Sequence, residues 1–123
     1  MKTGRWLTWI GSVILFLTGI GHGAKLAQLQ GMIQASGLKA PLDGIVRACW
    51  LTFSGEMVAI AVIATVASGI ERGGRIVLIC AATMILNGAL LFHYLGLFIG
   101  VYATLAVALL FLAGGLLQGK QTA

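Results

Sequence analysis

Charge is what this chain has least of. Only 9% of its 123 residues are charged, against a usual quarter in soluble domains, and 59% are hydrophobic. From Ile76 to Gly119 there is not one charged side chain. As a single helix that run would extend about 66 Å, roughly twice the hydrocarbon core of a bilayer. It must therefore fold back as a transmembrane hairpin, and a water-soluble protein is excluded. Other scarcities narrow the function. Acidic residues number three, so there is no paired-carboxylate site, and with two cysteines, two histidines and no close spacing between them there is no zinc signature. Phosphate-cradling glycine loops and nucleophile elbows are also missing, which removes nucleotide enzymes and hydrolases of those types. Proline occurs once, at Pro41, where it punctuates a connection and not a helix interior. Cys49 and Cys80 fall at opposite depths of neighbouring segments, too far apart to form a disulfide, and read as small apolar filler.

What is present is hydrophobicity, with a mean hydropathy of +1.03, and glycine, 18 residues of it. The pattern predicts an all-α protein: one transmembrane domain over residues 1–123, a four-helix bundle with helices at about 6–24, 45–70, 76–95 and 97–117. Trp6 to Ala24 sits between Arg5 and Lys25. The basic residues before it resemble a signal-peptide n-region, but His22 stands where a cleavage site prefers a small residue, so a retained helix is expected. Between the first and second segments, Leu26, Leu29, Met32 and Ile33 recur at helical spacing among Gln28, Gln30 and Gln34. That predicts a short amphipathic helix lying in the interface, ended by Ser36 and Gly37. Glu71 to Arg75 reads as a tight polar turn, and Gly96 and Gly100 flank a second one.

The net charge of +5 comes from basic residues at segment ends, where membrane topology and anionic headgroups explain it; a nucleic-acid partner is not expected. Lys2, Arg5, Arg72, Arg75 and Lys120 fall on one side of the membrane, and Lys25, Lys39 and Arg47 on the other. The positive-inside rule then places both termini in the cytoplasm, in a cell membrane of inner-membrane type.

Function is sought among polar residues inside the spans, because burying them in hydrocarbon costs free energy that a function usually justifies. Counted along each segment, His22, Arg47, Trp50, Glu56, Asn87, His93, Tyr94 and Tyr102 all fall in the outer half of the bilayer, whereas the inner halves read as nearly pure Ala, Val, Ile, Leu and Gly. This asymmetry predicts a polar pocket open toward the outer face. Glu56 is the sharpest member, able to exchange a proton or to hydrogen-bond to His22 or Asn87; packing glue between helices is the alternative. His22 and His93 suit haem or quinone ligation, or simply a place near the interface. Asn87, Thr83, Cys80 and Tyr94 share a helix face that either lines a pocket or packs. The tryptophans and tyrosines fit interfacial belts, and the glycines of the first and fourth segments fit close helix approach.

Three short motifs carry a family likeness: Leu-Thr-Gly-Ile-Gly-His at Leu17 to His22, Arg-Ala-Cys-Trp at Arg47 to Trp50, and Gly-Leu-Phe-Ile-Gly at Gly96 to Gly100. The layout resembles the small DoxX-like four-helix membrane proteins. That resemblance implies a four-helix bundle and, for some relatives, a link to quinone-coupled redox chemistry; it transfers no catalytic residue. Three functions remain in play. The leading one is a non-enzymatic membrane protein that binds a lipid or quinone in the outer pocket, as an accessory subunit of a larger complex or as a homo-oligomer. The others are a proton-coupled multidrug-type exporter using Glu56, and a haem or quinone redox subunit using His22 and His93.

Overall fold

The computed structural model describes residues 2–119, and all the regular structure in that range is helical. The helices are α1 (Lys2–Ala24), α2 (Leu26–Ser36), α3 (Leu42–Gly69), α4 (Gly74–Leu95) and α5 (Ile99–Gly119). All but α2 are long and apolar enough to cross a membrane. The bundle architecture is as the hydropathy pattern predicts; the boundaries shift. Helix α1 starts one turn before the apolar run and α3 starts at Leu42, because backbone hydrogen bonding carries a helix past its hydrophobic stretch. Helix α5 begins at Ile99 and not Leu97, since Gly96 (φ 72°), Leu97 and Phe98 are spent on the reversal. The polar tail from Lys120 onward lies outside the described residues.

The α2 helix ends where Gly37 adopts a left-handed conformation (φ 69°) and returns its N–H to the Gln34 carbonyl. Ile33 is buried, while Gln28, Gln34 and Met32 are exposed, as an interfacial helix requires. The 71–75 turn needs both of its glycines for different reasons. A side chain at Gly73 would collide with the Ala67 carbonyl, and one at Gly74 would sit 2.9 Å from the Gly115 carbonyl of α5.

The four spans form a ring. Helix α1 packs broadly on α3 and α5, and α5 on α4; α3 and α4 touch along a thinner seam. The core includes Leu15, Met57, Ala61, Ala64, Val77, Ala81, Met84, Val107, Ala108 and Phe111. Small residues set the spacing, as expected where lipid removes the hydrophobic drive between helices. Gly4 and Gly114 face each other across α1 and α5, Gly11 lies under Phe111, and Gly19 meets Met57 and Ser54. Gly21 has nothing near it, so the glycines of α1 do not all serve packing. Large apolar residues such as Leu17, Ile79 and Leu109 point outward, a surface that hydrocarbon accepts and water would not.

Candidate functional site

The predicted outer pocket resolves into two clusters on different sides of α3. The first joins α1 to α3. Trp50 Nε1 donates to the His22 carbonyl at 2.8 Å, His22 Nδ1 and Ser54 Oγ are 2.7 Å apart, and the Ser54 hydroxyl is 2.9 Å from the Trp50 carbonyl. The rings of His22 and Trp50 stack with centroids 3.8 Å apart, and Phe53 meets His22 edge-on at 5.5 Å. A side chain at Gly23 would meet Ser54 only at ordinary contact distance, 3.6 Å, so the cluster does not depend on that glycine. The α1 carbonyl that Trp50 caps is one of the last in the helix, so the indole also satisfies an end group.

Arg47 shares this face of α3, one turn outward. Its Nη2 lies 3.5 Å from Asp43 Oδ2, a partly exposed pair one helical turn apart, and its Nε is buried without a hydrogen-bond partner. Pairs of this exposure contribute little stability.

The second cluster crosses the thin α3/α4 seam. Asn87 Nδ2 donates to Glu56 Oε1 at 3.0 Å, and both side chains are half-buried. Glu56 lies two positions after Ser54, about 200° around the helix, which puts Glu56 on the opposite flank of α3 from the His22 cluster. The partner of Glu56 is therefore Asn87 and not His22. Glu56 Oε2 makes no hydrogen bond among the described residues. Glu56 is also the only acidic side chain there that sits within a span away from its ends.

The remaining candidates stand apart. Among the described residues the one ring contact of His93 is with Tyr94, edge-on at 4.8 Å, at the exposed end of α4. Tyr94 is 77% exposed and Tyr102 of α5 is 57% exposed, both suited to an interfacial rim. The two histidine rings do not contact each other, and no group of three His, Cys, Asp or Glu side chains able to hold a metal occurs among the described residues. The shared face of Asn87, Thr83, Cys80 and Tyr94 is not one lining: Thr83 bonds back to the Ile79 carbonyl, Cys80 is buried and Tyr94 faces outward.

The half of the bundle nearer the 71–75 turn is less apolar than its sequence suggests. Trp9 Nε1 donates to Ser68 Oγ at 2.9 Å, Arg5 Nε to the Ser68 carbonyl at 2.9 Å, and Gln118 Nε2 to Thr8 Oγ1 at 3.0 Å. These bonds tie α1 to α3 and α5. Serine and threonine barely register in hydropathy, so this seam was hidden; the signal available was the one-turn spacing of Thr8 with Ser12 and of Thr65 with Ser68. The chain matches no family model, no curated protein and no solved structure.

Proposed function

We propose that this chain is a small multi-pass membrane protein that binds a hydrophobic ligand, a lipid or a quinone, at the outer part of the α3/α4 seam. The observation that carries this reading is the Glu56–Asn87 hydrogen bond across the thinnest of the four seams that close the ring of spans, which leaves the second carboxyl oxygen without a partner. A carboxyl that served only as packing glue would be expected to be buried and fully bonded. Here Asn87 fixes one oxygen and the other is available to a ligand head group. The His22–Trp50–Ser54 cluster supports the site indirectly by holding the outer half of α3 against α1. Arg47, His93, Tyr94 and Tyr102 belong to its rim, where head groups and interfacial water meet the bundle. The likeness to DoxX-like proteins agrees with the layout and with a quinone as one ligand class. Such a protein acts as an accessory subunit or a homo-oligomer in the cell membrane, with both termini in the cytoplasm.

A second reading, proton-coupled export of hydrophobic cations, draws on the same isolated carboxyl. Native mass spectrometry of protein released from mild detergent separates the two. The expected result is a reproducible non-covalent adduct on the wild type that Glu56→Gln loses; glutamine retains an oxygen for Asn87, so the fold is kept. An adduct untouched by Glu56→Gln overturns the proposal. A bare dimer that binds tetraphenylphosphonium in a pH-dependent, Glu56-dependent manner installs the exporter in its place. A Soret band in the purified protein would instead favour the haem reading through His22 and His93.

A further inference from the structure

Away from the Glu56 seam, a groove of about 290 Å³ opens between α1 and α3 toward the lipid. Its walls include Phe16 from α1 and Val62 and Val66 from α3, and its polar members are Ser12 and Thr65. In the spans, Thr8, Thr18, Ser54, Thr65, Thr83 and Thr104 each donate to the carbonyl four residues back, which is how a hydroxyl normally satisfies itself in a helix. Ser12 does not. Its residue is 3% exposed and its Oγ is buried with no hydrogen-bond partner. An unmet hydroxyl in an apolar setting is destabilising, because its hydration is lost and nothing replaces it. Ser12 lies about 15 Å along α1 from Lys2, close to the bilayer midplane, beyond the reach of water and of lipid ester groups.

We infer that this groove is a second binding site, for an apolar molecule that carries a single hydrogen-bond acceptor such as a ketone or ether oxygen. Ser12 lines the groove, and a change of its χ1 rotamer brings the buried hydroxyl to that oxygen, while the aliphatic and aromatic walls take the body. A dry apolar cavity of roughly 150 Å³ holds one benzene ring. The groove is about twice that, so it accommodates a two-ring molecule or an equivalent length of chain. A plain acyl chain fills the volume but leaves the Ser12 hydroxyl unpaired, and the same molecule with one acceptor oxygen pairs it. The site is independent of Glu56.

Benzophenone is the probe, since it has two rings, one carbonyl and photochemical insertion into neighbouring C–H bonds. Purified protein in detergent is irradiated over a concentration series and the labelled peptides are mapped. The expected result is saturable labelling within residues 13–17 or 61–66. Ser12→Ala should raise the half-saturating concentration about fivefold, the loss of one hydrogen bond. Removing a hydroxyl that has no partner costs the fold nothing, so Ser12→Ala is a clean variant. Val62→Trp, at an exposed wall position, should abolish labelling there by filling the groove, and Glu56→Gln should leave it unchanged. Diphenylmethane, the same shape without the oxygen, should compete about fivefold more weakly than benzophenone. Labelling that never saturates and spreads over the lipid-facing positions of all four spans overturns the site, as does saturable labelling that Ser12→Ala leaves unaltered. Labelling lost in Glu56→Gln overturns its independence and assigns the ligand to the α3/α4 seam.

Discussion

At the scale of single residues, the tightest polar arrangement is the one around Trp50. Its indole bonds the His22 carbonyl, its ring stacks on the imidazole, and Ser54 completes the contact from the next turn. Trp50→Phe keeps much of the stacking area and removes the N–H donor, leaving the His22 carbonyl near the end of α1 with only the Lys25 N–H at 3.2 Å. The expected cost is about 1 kcal/mol, seen as a lower thermal unfolding midpoint in detergent. Trp6→Phe is the matched control: Trp6 is exposed and its ring contact is an edge-on approach to Trp9, so its midpoint should not move. Equal behaviour of the two variants would mean that Trp50, too, is only a belt residue. Sequence reasoning placed both tryptophans in the same interfacial class. Hydropathy and depth assign them alike, and only the rotation of α3 about its axis tells them apart.

At the scale of elements, glycine decides which helices meet. A side chain at Gly114 would run into the Thr8 hydroxyl and lie 2.9 Å from the Gly4 carbonyl, so α1 and α5 could not keep their separation. Gly114→Val should therefore cost about 1–3 kcal/mol through overpacking, with a lower unfolding midpoint and earlier loss of helicity in circular dichroism. Gly21→Val, on the same helix as Gly4, meets nothing within 4 Å and should leave the midpoint where it is. Matching losses in both variants would point to backbone entropy and helix propensity, not close approach. The small-residue enrichment of the first and fourth segments was legible in the sequence, as were the interfacial helix at Leu26–Ser36 and the double-glycine turn. Which glycine faces a neighbour was not, because a glycine pattern on one helix has meaning only against the surface of another. The polar outer pocket failed as a single site for the same kind of reason. Residues at one depth but about 200° apart on α3 cannot line one cavity.

For the whole molecule, four spans put both termini and the 71–75 turn on one side, with α2 and the 96–98 reversal on the other. The basic residues favour the first side, which under the proposed orientation is the cytoplasmic one. Single-cysteine variants at Lys39 and Arg72, made after replacing Cys49 and Cys80 by serine, test this in intact cells. A membrane-impermeant maleimide should label the Lys39→Cys protein directly and the Arg72→Cys protein only after permeabilisation. Labelling of both in intact cells would reveal a mixed orientation, and the reverse pattern would invert the topology.

The sequence by itself determined the solvent of this protein, the number of its crossings and the places where the chain turns. Hydropathy is local and additive along the chain, so the uncharged run from Ile76 to Gly119 could only be a hairpin in lipid. Tertiary structure alone decided the ring order of the helices, the choice of Asn87 as the partner of Glu56, the polar seam from Arg5 and Trp9 to Ser68, and the unpaired hydroxyl of Ser12. These depend on how each helix is rotated and how closely its small residues let another approach. In a bilayer, where every apolar face is equally acceptable to lipid, packing and hydrogen bonding between helices choose among rotations that hydropathy leaves equivalent.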